Sequence, residues 1–183
     1  MDLSDEALYE QYLKRRDNEA LRCLLERHRE GLTLFLFGFV HNETDAEELM
    51  LDAFAEVAAG PTIFSGKSSF KTWLFSVGKH LAMKQLRRQR HTTPLETFEP
   101  GQSEGPELLL LREERVRQLY LAMERIAPDY REVLQLQYIE QMQPAEISQV
   151  MGKRVSQIYN LIKRGKSALR AELERMGFDD AGY

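Results

Sequence analysis

Apolar residues at helical spacing run through most of this chain, and the pattern makes one long stop. From His91 to Pro106 the sequence HTTPLETFEPGQSEGP holds three prolines, two glycines and no apolar stripe. Proline breaks a helix interior and glycine weakens one, so this stretch is a linker. On both sides the apolar residues return at steps of three to five, which is helix spacing rather than strand alternation. A length of 183 residues accommodates two small domains. The expected fold class is all-α. Two small helical domains, 1–90 and 107–176, are joined by the irregular linker 91–106 and followed by a short tail, 177–183.

In the first domain, Ser4 can cap a helix through Leu8, Tyr9, Tyr12 and Leu13. Asp17-Asn18 offers a break and a new cap. The next helix runs from Glu19 to about Val40 with Leu21, Leu24, Leu25, Leu32, Phe35, Leu36 and Phe39 on its core face, despite Gly31 and Gly38. Thr44 followed by Glu47 fits a capping box, which predicts a helix over Asp45–Ala58. Its apolar face is Ala46, Leu49, Met50, Ala53, Phe54 and Val57; Glu47, Glu48 and Asp52 form a negative strip. Acids near the start are accounted for by the helix dipole, but Asp52 and Glu56 lie too far along for that. Gly60-Pro61 ends the helix. Thr62–Ser69 is a loop with Gly66 at its turn, and Ile63-Phe64 in it need somewhere to pack.

The stretch Phe70–Arg90, FKTWLFSVGKHLAMKQLRRQR, begins aromatic and ends basic. Ser68 or Ser69 can cap it. Phe70, Trp73, Leu74, Val77, Leu81 and Leu86 make its apolar stripe, and from Lys79 to His91 there are five Lys/Arg and no acid. Such a helix is either a solvated amphipathic surface or a face for a polyanion.

Charge is unevenly placed. The net charge of −4 argues against a protein that coats nucleic acid indiscriminately. Residues 1–60 carry fourteen acids against six Lys/Arg, whereas residues 151–170 carry six Lys/Arg and no acid. Two basic patches and an acidic half hint at two different partners. Cys23 is the single cysteine, so no internal disulfide forms, and its apolar neighbours mark it as a core thiol. His28, His41, His80 and His91 lack metal-ligand spacing. The acidic N-terminus is no secretory signal, and the longest apolar run, Leu32–Val40, is far short of a bilayer span. The expected protein is cytoplasmic, without membrane insertion, metal or cofactor. There is no Gly-rich phosphate loop and no clustered nucleophile and base, so it is not expected to be an enzyme.

In the second domain helix restarts at Glu107 with Leu108, Leu111, Leu119, Ala122, Met123 and Ile126 inside. Pro128 and Pro144 each suit a first helical turn. The short helix from Pro144, with Ile147, Val150 and Met151 inside, meets Gly152, and Val155 to about Arg170 forms the next helix. A short helix, a turn containing Gly and a second helix make a helix-turn-helix. Its second helix exposes Ser156, Gln157, Tyr159, Asn160, Lys163 and Arg164, groups suited to base edges and phosphates. Any three-helix bundle with a short turn shares the pattern; the acid-free run through Arg170 favours DNA.

Taken together, the two halves resemble the extracytoplasmic-function sigma factors of bacterial RNA polymerase. DAEELMLDAF (Asp45–Phe54) and FSGKSSFKTWLFSVGKHLAMKQLRRQR (Phe64–Arg90) are similar to that family's σ2 domain, a helical bundle. Ile126–Arg170 is similar to its σ4 domain, a helix-turn-helix bundle. The resemblance implies an alternative sigma factor that binds core polymerase, recognises −35 and −10 promoter elements and promotes strand opening. It implies that Asp45, Glu48, Leu49, Asp52 and Phe54 dock on the β′ clamp helices. The loop Gly60–Ser69 corresponds to the one that captures a flipped −10 base, and Phe70–Arg90 to the segment that melts and reads that element. Phe64, Lys67, Ser68, Lys79, His80, Lys84, Arg87 and Arg88 are the implied −10 contacts. Phe64 is then either a wall of the base pocket or a buried loop anchor, and Trp73 either packs the core or stacks on a base. Val155–Lys166 corresponds to the −35 helix, with Ser156, Gln157, Tyr159, Asn160, Lys163, Arg164 and Lys166 as its contacts. The implied partners are core RNA polymerase (β′ clamp helices and β flap), promoter DNA and an anti-sigma factor.

Two residues depart from the family's habit. His80 stands where Asn is common; imidazole offers its donor and acceptor on opposite sides of a ring, an amide on one end. Lys153 stands in the turn where an apolar residue is common, so that turn is either more exposed or touches phosphate. No sizeable extension follows Tyr183, and a fused sensory domain is not expected. The rival reading is a stand-alone helix-turn-helix repressor or activator that binds duplex DNA without polymerase. It has no need of the acidic strip.

Overall fold

The computed structural model describes residues 3–59, 64–92 and 114–178, which form eight helices and no strand. Helix α1, Asp5–Arg15, starts where Ser4 Oγ accepts from the Ala7 N–H at 3.2 Å. Helix α2, Asn18–Val40, starts where the Asp17 carboxylate accepts from the Glu19 N–H at 3.0 Å. Helix α3, Glu43–Ala59, starts earlier than expected. The capping box at Thr44 gives way to Asn42, whose Oδ1 accepts from the Asp45 N–H at 2.9 Å. Asparagine is the better cap, and two residues upstream it adds half a turn to the helix. Helix α4, Phe70–Thr92, is capped by Ser69, whose Oγ accepts from the Thr72 N–H at 3.2 Å.

These four helices share a core of Tyr9 and Tyr12 from α1, Leu24, Leu32, Phe35 and Leu36 from α2, Leu49, Ala53 and Phe54 from α3, and Phe70, Leu74 and Phe75 from α4. Each fully buried Leu or Phe contributes about 1.5–3 kcal/mol. Tyr9 and Tyr12 also donate their hydroxyls to the Val57 and Ala58 carbonyls, at 3.2 and 3.0 Å, which ties α1 to the far end of α3. Cys23 is half-buried against this core.

The second group begins with α5, Glu114–Glu124, and α6, Pro128–Leu134. The latter widens into a π turn over Gln135–Ile139. Helix α7, Pro144–Met151, ends on Gly152 at φ 64°, a left-handed position that suits glycine. Helix α8, Val155–Arg175, outruns the expected end at Arg170. Val133, Leu134, Leu136, Ile147, Val150 and Ile158 form the interior. The first two residues expected in the linker, His91 and Thr92, continue α4 instead; the linker from 93 on, the helix start at Glu107 with Leu108 and Leu111, Gly60–Ile63 and the last five residues lie outside the described residues.

The two helix groups pack on each other, with α6 against α2 and α7 against α4. Polar and charged pairs cross this contact beside an apolar core that takes in residues of both groups. Arg131, Glu132, Gln135 and Glu140 of the second group are all buried. Arg131 Nη2 donates to the Gly38 carbonyl at 2.8 Å, and Nη1 meets Glu124, which also takes His41 Nδ1 at 3.0 Å. Lys71 Nζ lies 2.6 Å from Glu140 Oε2, and Lys79 Nζ lies 2.5 Å from Glu132 Oε1.

Candidate nucleic-acid interface

Helix α8 carries its polar residues outward because its apolar ones, Ile158, Leu161, Ile162, Ala168 and Leu169, pack inward against the second group's core. Ser156, Gln157, Tyr159, Asn160, Lys163, Arg164 and Lys166 are all exposed, Tyr159 at 61%. Ser156, Asn160 and Lys163 recur at steps of four and three and so share one face. Gln157 also serves its own helix, because its Oε1 accepts from the Arg154 N–H at 2.8 Å and caps the helix start. Lys153 is neither fully exposed nor free for phosphate, because its Nζ lies 3.0 Å from Asp129 Oδ2 at the start of α6.

Along α4 the basic residues divide. His80, Lys84, Arg87 and Arg88 are exposed, and their spacing places them along one edge. Lys79 departs from that edge: it faces the second group and pairs with Glu132. Burial pushes the Glu132 carboxyl above its ordinary range, against the attraction of Lys79.

In the loop before α4, Gly66 adopts φ 71° and Lys67 is exposed. Ser68 is half-buried and its Oγ donates to the Ser69 carbonyl at 3.2 Å. Phe64 acts as the loop's anchor. Its ring sits 5.4 Å from Trp73, 6.0 Å from Tyr9 and 6.0 Å from Phe70. Trp73, half-buried in the same cluster, packs the core. Both rings therefore hold the loop down rather than stand free to stack on a base.

Sequence reasoning named Ser69 only as a helix cap and passed over Thr72, Lys71 and Glu146. Ser69 Oγ donates to Glu146 Oε1 at 2.7 Å, and Thr72 Oγ1 donates to the same oxygen at 3.0 Å. Burial opposes ionisation of Glu146, but bonds from the Gln143 N–H, Ser69 and Thr72 outweigh it and hold the carboxyl below its ordinary range. These pairs join residues more than seventy positions apart, and no local pattern signals them.

The acidic strip of α3 also needs correction. Glu47, Glu48, Asp52 and Glu56 are exposed and Asp45 half-buried, but Leu49 and Phe54 are 3% and 6% exposed and belong to the core. Their side chains are spent on packing against α2 and α4. The apolar residue on the outward ridge is Leu51, 55% exposed between Glu48 and Asp52. Leu51 falls off the core stripe, and that mismatch was the available signal. No helix among the described residues is long and apolar enough to cross a membrane.

The family model for sigma-70 region 2 matches residues 24–92, and that for sigma-70, region 4 matches residues 116–169. The chain belongs to the sigma-70 family. It is similar to the ECF RNA polymerase sigma factor SigX of Bacillus subtilis (strain 168), with 28% identity over 164 residues covering 85% of this chain and 84% of that one. It is similar to the ECF RNA polymerase sigma-E factor of Escherichia coli (strain K12), with 25% identity over 179 residues covering 91% and 93%. Among solved structures it resembles CnrH in complex with the cytosolic domain of CnrY, with TM-score 0.69 and 22% identity over 93% of this chain and 97% of that one. It also resembles RpoE in complex with the anti-sigma factor NepR from Bartonella quintana, with TM-score 0.64 and 19% identity over 84% and 96%. This sigma factor is an alternative one acting in transcription initiation, and its family is not known for enzymes.

Proposed function

We propose that this sigma factor carries core RNA polymerase to its promoters by three outward faces. The α3 ridge Glu48, Leu51, Asp52 docks on the polymerase clamp helices, an apolar contact ringed by carboxylates. Helix α8 enters the major groove of the −35 element, where Ser156, Gln157, Tyr159 and Asn160 meet base edges and Lys163, Arg164 and Lys166 meet phosphates. The loop 64–69 and the α4 edge His80, Lys84, Arg87 and Arg88 take the opened −10 strand. The observation that carries the reading is a helix, α8, free of acids from Val155 through Arg170 and an acidic ridge on α3, both exposed, in one chain with both sigma-70 regions.

Opening DNA breaks stacking of about 1.4 kcal/mol per step. The sigma factor offsets this by holding the open strand better than the duplex, at about 1–3 kcal/mol per base held by stacking. With Phe64 and Trp73 committed to packing, the loop supplies its backbone, Lys67 and Ser68 to a flipped base, and the cations of α4 hold its strand. All the covalent chemistry belongs to the polymerase, and the protein works in the cytoplasm where polymerase is. By the likeness to CnrH and RpoE, solved with CnrY and an anti-sigma factor, an anti-sigma factor is proposed as its regulator.

Run-off transcription of fragmented genomic DNA by core polymerase, with and without the protein, tests this. The expected result is a set of new start sites sharing two upstream elements at one spacing. Transcripts identical to those of core alone would overturn it.

A further inference from the structure

Helix α8 presents two side-chain amides one turn apart, and the start of the helix makes them unequal. Gln157 and Asn160 are both exposed and, three residues apart, share a face. The Arg154 N–H lies just before the first turn and needs an acceptor. Gln157 Oε1 supplies it at 2.8 Å, the reach-back half of a capping box. The backbone of the same pair closes the ring, because the Gln157 N–H donates to the Arg154 carbonyl at 2.9 Å. An N–H is met by the amide oxygen and never by the amide nitrogen, so chemistry fixes which end of Gln157 is occupied. Asn160 makes no such bond among the described residues.

The cap leaves Gln157 its Nε2, which has two N–H donors and no acceptor. In the major groove adenine shows an acceptor, N7, beside a donor, N6, and a free amide matches both. A capped amide cannot accept from N6. Cytosine shows only a donor, N4, and thymine one acceptor, O4. Guanine shows two acceptors, N7 and O6, and alone matches both hydrogens of Nε2. Turning the amide over to suit adenine would take the oxygen from Arg154 and leave its N–H without a partner under bound DNA, where water is excluded, and an unmet buried donor is costly. The cap therefore acts on the choice of base, although it touches no DNA.

We propose that Gln157 is a specificity-determining residue that selects guanine in the upstream promoter element, because its bond to the Arg154 N–H turns it into a donor-only reader. The proposal rests on the reading of α8 as the −35 helix.

The test uses holoenzyme, core polymerase with the full chain. The probe is a promoter fragment recovered by run-off transcription and randomised over its upstream element; bound DNA is sequenced. Arg154 has φ −68°, which proline adopts. Arg154→Pro therefore removes the N–H that holds the amide, and Arg154→Ala removes the same side chain but keeps the N–H. Gln157→Glu keeps one oxygen for the cap and turns an acceptor toward the DNA. Wild type and Arg154→Ala should select guanine at one position, about tenfold over adenine. Gln157→Ala should lose that preference at that position alone. Arg154→Pro should bring adenine there to near parity with guanine, and Gln157→Glu should replace guanine by cytosine on the same strand. Circular dichroism checks folding; if Arg154→Pro fails to fold, the Glu exchange decides alone. Wild type selecting adenine at the position that Gln157→Ala relaxes, or Gln157→Ala relaxing no position, would overturn the donor-only reading and leave the −35 reading standing on the element still selected. A wild type with no base preference anywhere in the upstream element would overturn the −35 reading of α8 itself.

Discussion

Phe64 tests whether the promoter loop is held down by its aromatic ring or uses that ring on DNA. In the structure Phe64 is half-buried and lies within 6.0 Å of the Tyr9, Phe70 and Trp73 rings. Truncating a buried Phe to Ala costs about 3–5 kcal/mol. Half-burial brings Phe64→Ala to roughly 2 kcal/mol. At about 2–4 °C per kcal/mol for a chain of this size, the melting temperature should fall by about 4–8 °C. Phe64→Leu keeps the apolar contact and gives up the ring pairs, a loss of about 1 kcal/mol. Thermal melting should be paired with permanganate footprinting of unpaired thymines on a promoter bound by holoenzyme. Opening should be impaired by Ala and largely restored by Leu, in step with stability. If both variants melt like wild type and both abolish opening, the ring stacks on a base and the anchor role is refuted.

Glu48→Lys with Asp52→Lys should weaken capture of core polymerase, and Leu51→Asp should do so alone, with little change in melting because all three are exposed. On α8, Asn160→Ala should relax preference at one or two upstream base pairs by about 1–3 kcal/mol, whereas Lys163→Ala should weaken all sequences alike and flatten the salt slope by about 0.9; competition assays across a salt series separate the two. The Asp5 carboxyl is held below its ordinary range by its hydrogen bond with His28, against burial, and by Arg27. A lowered carboxyl stabilises the fold above its ordinary value, and that contribution is lost as pH falls through the lowered one. Asp5→Asn should therefore melt lower at neutral pH and show a flatter acid limb below about pH 4.

The helices were legible because apolar spacing and caps are local. Ser4, Asp17 and Ser69 cap where the sequence suggests. Asn42 displaced Thr44 because the stronger cap lay just upstream. The basic face of α8 was readable from its lack of acids through Arg170, and the structure leaves that face outward. Leu49 and Phe54 were misjudged because a motif spanning α3 does not tell inward from outward residues, although the core stripe already contained both. Lys79, Lys71 and Glu146 were illegible: their partners come from another helix group, and charged pairs at long separation leave no periodicity. Gly31, where a Cβ would lie 2.5 Å from Glu140 Oε1, was the one trace of that contact.

The central claim is that this chain recognises promoters as a part of polymerase. Fluorescence anisotropy of a promoter fragment, titrated with the protein alone and with core polymerase present, tests it most directly. Two small reading surfaces that polymerase must hold at a fixed spacing should bind weakly and with little sequence preference alone, and tightly and specifically with core. Equally tight, specific duplex binding without polymerase would contradict the account and favour a stand-alone helix-turn-helix regulator.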